Sequence, residues 1–383
     1  MTFTYPAARR SDTVDDYHGT RVPDPYRWLE DAAASESKGF VRAQNEITIP
    51  YLASLPERPA LRRRMEELWN IPRTGAPTVC SGVAVWAHND GLQDQPVYFV
   101  RRPGGESRPL LDPNSFSDDG ATAVIETSLS DDGRFLAYSV AESGSDWQVV
   151  RIRNTETLED LEDELHHVKF AGISWHTQGF FYSRFPAQEP GSTAPSRNMA
   201  VYYHRVGTVQ AQDLMVFANP ADPDLGYSAT VDDDGRFLVL TEWEGTSKQN
   251  GLLYQHLDDL DSDWLRLASP GRALYSFLAA HDGAFLIHTD LDAPNGRIVR
   301  VPLDHPEGVE EIVGERPEAI ELATVAAGRL ITVTLHEASH RLSTYDLDGN
   351  RVGSIELPGV GTVAELTGRI RDDSLYIGFQ SFV

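Results

Sequence analysis

The chain has 383 residues, 40% hydrophobic and 24% charged, the balance of an ordinary globular protein, and it holds no run of about 18 apolar residues that would span a membrane. Its formal net charge of −25 has the wrong sign for nucleic acid, whose phosphates need a basic face. Cys80 is the single cysteine, which leaves no internal disulfide and no cysteine-built metal site; together with a polar N-terminus lacking an apolar signal core, this points to the cytoplasm.

The first 70 or so residues carry helical signals. Asp24-Pro25-Tyr26-Arg27-Trp28-Leu29-Glu30-Asp31 suits a turn entering a short helical piece. A helix is expected over residues 37–55, with Pro50 ending or kinking it, because proline removes an amide donor and clashes with the preceding turn. Pro59 to Trp69 is the stronger helix: proline is tolerated in a first turn, and Leu61, Met65, Leu68 and Trp69 recur at spacings of three and four.

After Pro72 the pattern changes to short β-rich runs punctuated by Gly, Asp and Pro. A strand, a tight polar turn and a second apolar strand recur. The copies begin at Ser81-Gly82, Ser130-Asp131-Asp132-Gly133, Thr177-Gln178-Gly179, Asp233-Asp234-Gly235, His281-Asp282-Gly283, Ala327-Gly328 and Arg371-Asp372-Asp373. About seven copies at intervals of roughly 45 to 55 residues match the scale of a four-stranded propeller blade. Six are followed by a further strand candidate, taken as an outer strand: Val97-Tyr98-Phe99, Trp147-Gln148-Val149, Val201-Tyr202-Tyr203, Leu252-Leu253-Tyr254, Ile298-Val299-Arg300 and Leu342-Ser343-Thr344. The seventh lacks one, and the chain stops at Gln380-Ser381-Phe382-Val383. An unfinished blade leaves an open edge, so a cut is expected there. The expected fold is mainly β: a short α-helical N-terminal segment over residues 1–71 and a seven-bladed β-propeller over 72–383, its last blade incomplete.

Catalytic motifs are sparse. A Gly-x-Ser-x-Gly elbow would lift a serine above a sheet and supply oxyanion-hole amides. It does not occur; the near misses around Ser174 and Ser228 lack the second glycine and sit in strand-like runs. His336-Glu337-Ala338-Ser339-His340 matches H-E-x-x-H, which on a helix aligns two zinc ligands. Its flanks are β-branched strand runs, so a hairpin turn is expected and no metal. The Asp pairs fall in the repeat turns, where Asp bonds nearby backbone. Trp86, Trp147, Phe170, Trp175, Trp243 and Trp264 are for the most part expected to pack between blades, the alternative for one at a blade edge near the axis being contact with a ligand entering the channel; no Gly-rich phosphate loop is present.

Val22-Pro23-Asp24-Pro25-Tyr26-Arg27-Trp28-Leu29-Glu30-Asp31, with Tyr17-His18-Gly19 before it and Val41-Arg42-Ala43-Gln44-Asn45 after it, resembles the opening of the prolyl oligopeptidase family of serine peptidases. Asn89-Asp90-Gly91, Leu111-Asp112-Pro113-Asn114, Ser143-Gly144-Ser145-Asp146-Trp147 and Val168-Lys169-Phe170 extend the likeness through the propeller. The resemblance implies an endopeptidase cleaving short peptides after proline. In that family an α/β-hydrolase domain carries the Ser-Asp-His triad, the propeller caps it and excludes folded proteins, and the N-terminal segment packs on the hydrolase. The hydrolase domain would follow Val383, so this chain alone is expected to be inactive; a stand-alone propeller serving binding or assembly is the alternative. By position Phe170 matches a substrate-lining aromatic. Three further lining positions depart from the family: Gly226 stands where a methionine would, Trp243 where an arginine would, and Thr246 at the position of a cysteine in some relatives.

Overall fold

The computed structural model describes residues 3–32, 34–188, 195–259 and 262–381; Phe382-Val383, the end of the expected last blade, lies outside them. The chain divides into two compact units, Met1–Ile71 with Ala187–Pro195, and Pro72–Pro186 with Ser196–Val383.

In the first unit Val14–Tyr17 and Thr20–Pro23 form an antiparallel hairpin. Arg27 pairs with Asp15 and, at 2.9 Å, with Asp24, tying the hairpin to the 3-10 turn Arg27–Glu30. Two helices follow, Ser35–Ala53 and Arg58–Trp69. Pro50 lies within the last turn of the first helix rather than ending it. One donor is lost, but the Pro50 carbonyl still accepts the Ser54 amide at 3.0 Å. Ser37 is the one buried side chain among the described helical residues. Leu61, Met65, Leu68 and Trp69 are each more than half exposed, so the apolar stripe of the second helix is presented to water.

The second unit is a propeller, and its blade count corrects the sequence reading: six blades, not seven. Five of them are four-stranded antiparallel sheets, over residues 122–168, 174–218, 225–273, 275–313 and 320–355. The first blade, residues 73–111, is a sheet of five strands, because Arg73–Thr74 and Thr78–Cys80 both pair with Val83–Asn89. The seventh repeat makes only a two-stranded ribbon, Gly361–Thr367 with Tyr376–Ser381. The runs expected as outer strands are the third strands of their blades. The outermost strands Leu214–Ala218 and Arg351–Ile355 have no buried residue.

Stacking between blades makes the core. In Gly179–Arg184, successive side chains alternate across the sheet. Phe180 and Tyr182 join Val150, Ile152 and Leu165 of the second blade, while Phe181 joins Tyr227, Leu238 and Leu253 of the fourth. Both faces are dry, which is why these strands read as unbroken apolar runs. The ribbon closes onto the first blade through side chains: Glu365 accepts the Ala76 amide at 2.5 Å and the Thr367 hydroxyl donates to the Pro77 carbonyl at 2.7 Å.

Each of the five four-stranded blades runs up and down in strand order. Turns between first and second strands therefore fall at one end of the propeller. Connections between second and third strands, and from each fourth strand to the next blade, fall at the other end.

Candidate functional site

Strand order places Phe170, Trp243, Gly226 and Thr246 at the same end of the propeller. Phe170 lies on the connection from Asp160–Val168 to Ser174–His176; Gly226 opens the strand Leu225–Val231 and Trp243 closes its partner Phe237–Glu244. Three of these meet. The rings of Phe170 and Trp243 pack edge to face at 6.4 Å. Gly226 and Trp243 are directly opposed across the strand pair. A Cβ on Gly226 would overlap the six-membered ring of the indole, so the indole occupies the room that a side chain at 226 would need. The bulk on this strand pair is therefore carried by Trp243, directly opposite Gly226. Thr246 lies in the exposed turn beyond Glu244.

Phe170 is unusual in two ways. It is 55% exposed, and its backbone φ is +55°, a left-handed conformation that costs a non-glycine residue about 1–3 kcal/mol and persists only where surroundings hold it. Lys169 is part of that hold. Its ammonium lies 5.0 Å from the Phe170 ring centre and 5.4 Å from that of Trp147, within cation–π range. It is also 3.2 Å from the Asp146 carboxylate. Trp147 packs edge to face on buried Phe185 at 6.0 Å. Trp147 and Trp243 both lean on the core between the third and fourth blades. The result is an aromatic platform, Phe170 with Trp243 and Trp147, braced from below and open above. It can bind apolar or ring-bearing groups by stacking.

Lys169 and Trp147 are members of this platform that sequence reasoning missed. Both stand in the quoted motifs, but neither is singled out there as a lining residue. Trp175 packs between blades: it is 7% exposed and its indole donates to the Ser128 carbonyl at 2.9 Å. Trp86 stacks on Phe99, and Trp264 packs on Phe217.

The other motifs resolve without chemistry of their own. His336 and His340 flank a hairpin turn whose Glu337 and Ala338 both have positive φ. They face different carboxylates, Glu318 at 3.2 Å and Glu321 at 2.8 Å. Ser174 accepts the Val231 amide at 2.8 Å, and Ser228 sits mid-strand. The most perturbed histidine is His204, which is fully buried. One ring nitrogen is 2.9 Å from Asp163 in the second blade, the other 2.7 Å from Asp213. Burial alone would lower its pKa, but the two carboxylate bonds raise it to about 9. Among the described residues no helix is long and apolar enough to cross a membrane.

The family described as prolyl oligopeptidase, N-terminal beta-propeller domain, matches residues 5–383. The chain belongs to this family. It is 32% identical over 384 residues to a prolyl endopeptidase of Elizabethkingia meningoseptica, a match covering 99% of this chain and 54% of that protein. A prolyl oligopeptidase A of Amanita bisporigera is 31% identical, covering 94% of this chain and 53% of that one. Among solved structures, a prolyl endopeptidase studied for inter-domain dynamics in catalysis and specificity superposes with a TM-score of 0.76 at 35% identity, covering 99% of this chain and 55% of that chain. Prolyl oligopeptidase B of Galerina marginata, bound to a 25-residue macrocyclization substrate, superposes at 0.85 with 26% identity, covering 97% and 56%. The chain therefore spans about half the length of these relatives, and it is their N-terminal propeller portion that it matches.

Proposed function

We propose that the chain serves as the propeller part of a serine endopeptidase that cleaves short peptides after proline, lining and limiting the approach to a triad carried by an α/β-hydrolase domain. The observation that carries this reading is the platform: an exposed, backbone-strained Phe170, buttressed by Trp243 over Gly226 and by Lys169 and Trp147. In this reading the ring of Phe170 receives an apolar side chain or proline ring of the peptide, and Thr246 borders the same end. The helical unit supports the reading as well, because the exposed Leu61, Met65, Leu68 and Trp69 form a stripe suited to covering by a hydrolase domain. A cytoplasmic setting fits the lone, buried Cys80.

The test is a titration of the chain with a short proline-containing peptide, followed by tryptophan fluorescence. Phe170→Ala is expected to weaken binding about fivefold to thirtyfold, the worth of about 1–2 kcal/mol of ring burial. Equal affinity in the variant would refute the role of the platform. Serine-inhibitor-sensitive hydrolysis by this chain alone would refute the placement of the triad on a hydrolase domain.

A further inference from the structure

The two strands of the final ribbon are joined by residues 368–375, at the end of the propeller opposite Phe170. The equivalent links in the blades are tight turns. This one reaches away from its own ribbon. The Arg369 guanidinium pairs with Asp131, in the second blade's turn, at 2.7 Å. The Ile370 amide donates to Asp233 at 2.7 Å and Arg371 pairs with Asp234, both in the fourth blade's turn. The carbonyls of Arg369 and Ile370 accept the amides of Ala327 at 2.9 Å and Gly328 at 2.8 Å, in the sixth blade's turn. Asp372 folds back on the Arg369 amide at 2.8 Å and keeps the segment compact. One short segment thus contacts turns of the second, fourth and sixth blades. On a ring of blades those three turns can be reached together only by lying across the axial opening.

We propose that residues 368–375 are a stopper across this end of the propeller, latched by Arg369 and Arg371, so that a ligand reaches the interior only from the end that carries Phe170. The inference does not depend on the peptidase reading. It makes the propeller a one-ended cup: an extended peptide seated on the platform cannot thread through, and its overhang must turn back toward the face it entered. The stopper is removable without unfolding the ring. Its ion pairs are partly wet, with Arg371 68% and Asp131 58% exposed at the side chain, and exposed pairs are weak and screened by salt. Local opening of such a segment is a separate event from global unfolding.

Cys80 is a native reporter. It lines a pocket whose wall is completed by the segment's Arg369, Arg371 and Asp372. It is buried, and burial pushes its thiol up to about 11, so its reaction with disulfide reagents is slow while covered. The experiment compares wild type with R369Q/R371Q and, independently, with D131N/D234N, which cuts the same latch from the turn side. Cys80 modification by a small aromatic disulfide is measured alongside amide hydrogen exchange. Both variants are expected to label at least about tenfold faster, with faster exchange at residues 327–328 and 369–371 and unchanged protection in the blade cores. Faster exchange with wild-type labelling would show that the segment does not cover the opening and would overturn the stopper. Unchanged exchange and labelling in both variants would overturn the latch. Should R369Q/R371Q lose protection throughout, D131N/D234N carries the same two readings, since it alters only turn side chains.

Discussion

His204 offers the sharpest test of how this propeller is held together. It joins the third blade, which also holds Asp213, to the second through Asp163. Each carboxylate has one further donor, the Gly207 amide at 2.6 Å and the Tyr182 hydroxyl at 2.6 Å. Replacing His204 with Gln leaves two buried carboxylates facing a neutral group. Removing one partner of a buried ionic set typically costs about 3–5 kcal/mol, and the remaining donors place this case at the lower end. The pH dependence follows from the raised pKa. The ordinary value of 6.5 rises to about 9 in the folded chain, which at about 1.4 kcal/mol per tenfold is about 3 kcal/mol. A raised folded pKa gives stability that is complete below about pH 6.5, where the unfolded imidazole is also protonated, and that disappears as pH rises through about 9. Urea unfolding of wild type and His204→Gln at pH 6 and pH 10 measures this. Subtracting the two proteins removes the general repulsion of a chain with a net charge of −25. The gap between them is expected to be about 3 kcal/mol narrower at pH 10. A gap of the same size at both pH values would mean that His204 is not the cation of this cluster.

Two packing predictions follow from the glycines. Gly226→Met is expected to displace the Trp243 ring from Phe170 and destabilise the chain by about 1–3 kcal/mol, yet to cost little when Trp243 is first changed to Ala; additive costs in the double-mutant cycle would refute the reading that the indole fills the room beside Gly226. Gly133 and Gly283 occupy equivalent turns with φ of +70° and +71°, but a Cβ at 133 meets Val83 and the Cys80 carbonyl at 2.7–2.8 Å, whereas at 283 it meets nothing within 4 Å. Gly283→Ala should cost only the backbone strain of about 1–2 kcal/mol, and Gly133→Ala measurably more because a neighbouring blade must move. Equal melting temperatures for the two variants would contradict this.

Much of the site's position was legible once the strands were counted. In an up-and-down blade the parity of a connection sets its end, so Trp147, Phe170, Gly226, Trp243 and Thr246 must share a face. Which of them touch was not legible. The pairing of Gly226 with Trp243 depends on register, and a slip of one residue would turn the indole to the other face of the sheet. The place of Lys169 between two rings and a carboxylate depends on side-chain directions that no spacing encodes.

The repeat turns show the same limit in another form. Asp131-Asp132 and Asp232-Asp233-Asp234 all suit tight turns, and in sequence their members are equivalent. In the structure they divide their tasks. Asp132 accepts the Arg134 amide at 3.0 Å, and Asp232 accepts the amides of Arg236 and Phe237 at 2.7 Å. Asp131, Asp233 and Asp234 turn instead to Arg369, Ile370 and Arg371, more than a hundred residues away in chain order. A local turn needs only one carboxylate, so a second one beside it is free for a remote partner. That partner is the segment which, as Arg371-Asp372-Asp373, was counted as a seventh repeat turn. Its acids and arginines look like one more blade because they answer the turns of the others. Among the described residues the strand after it, Tyr376–Ser381, pairs in a two-stranded ribbon with Gly361–Thr367. A pattern of polar turns therefore overstates the number of blades by one wherever a connecting segment carries the chemistry complementary to those turns, and the pairing of strands is what separates the two cases.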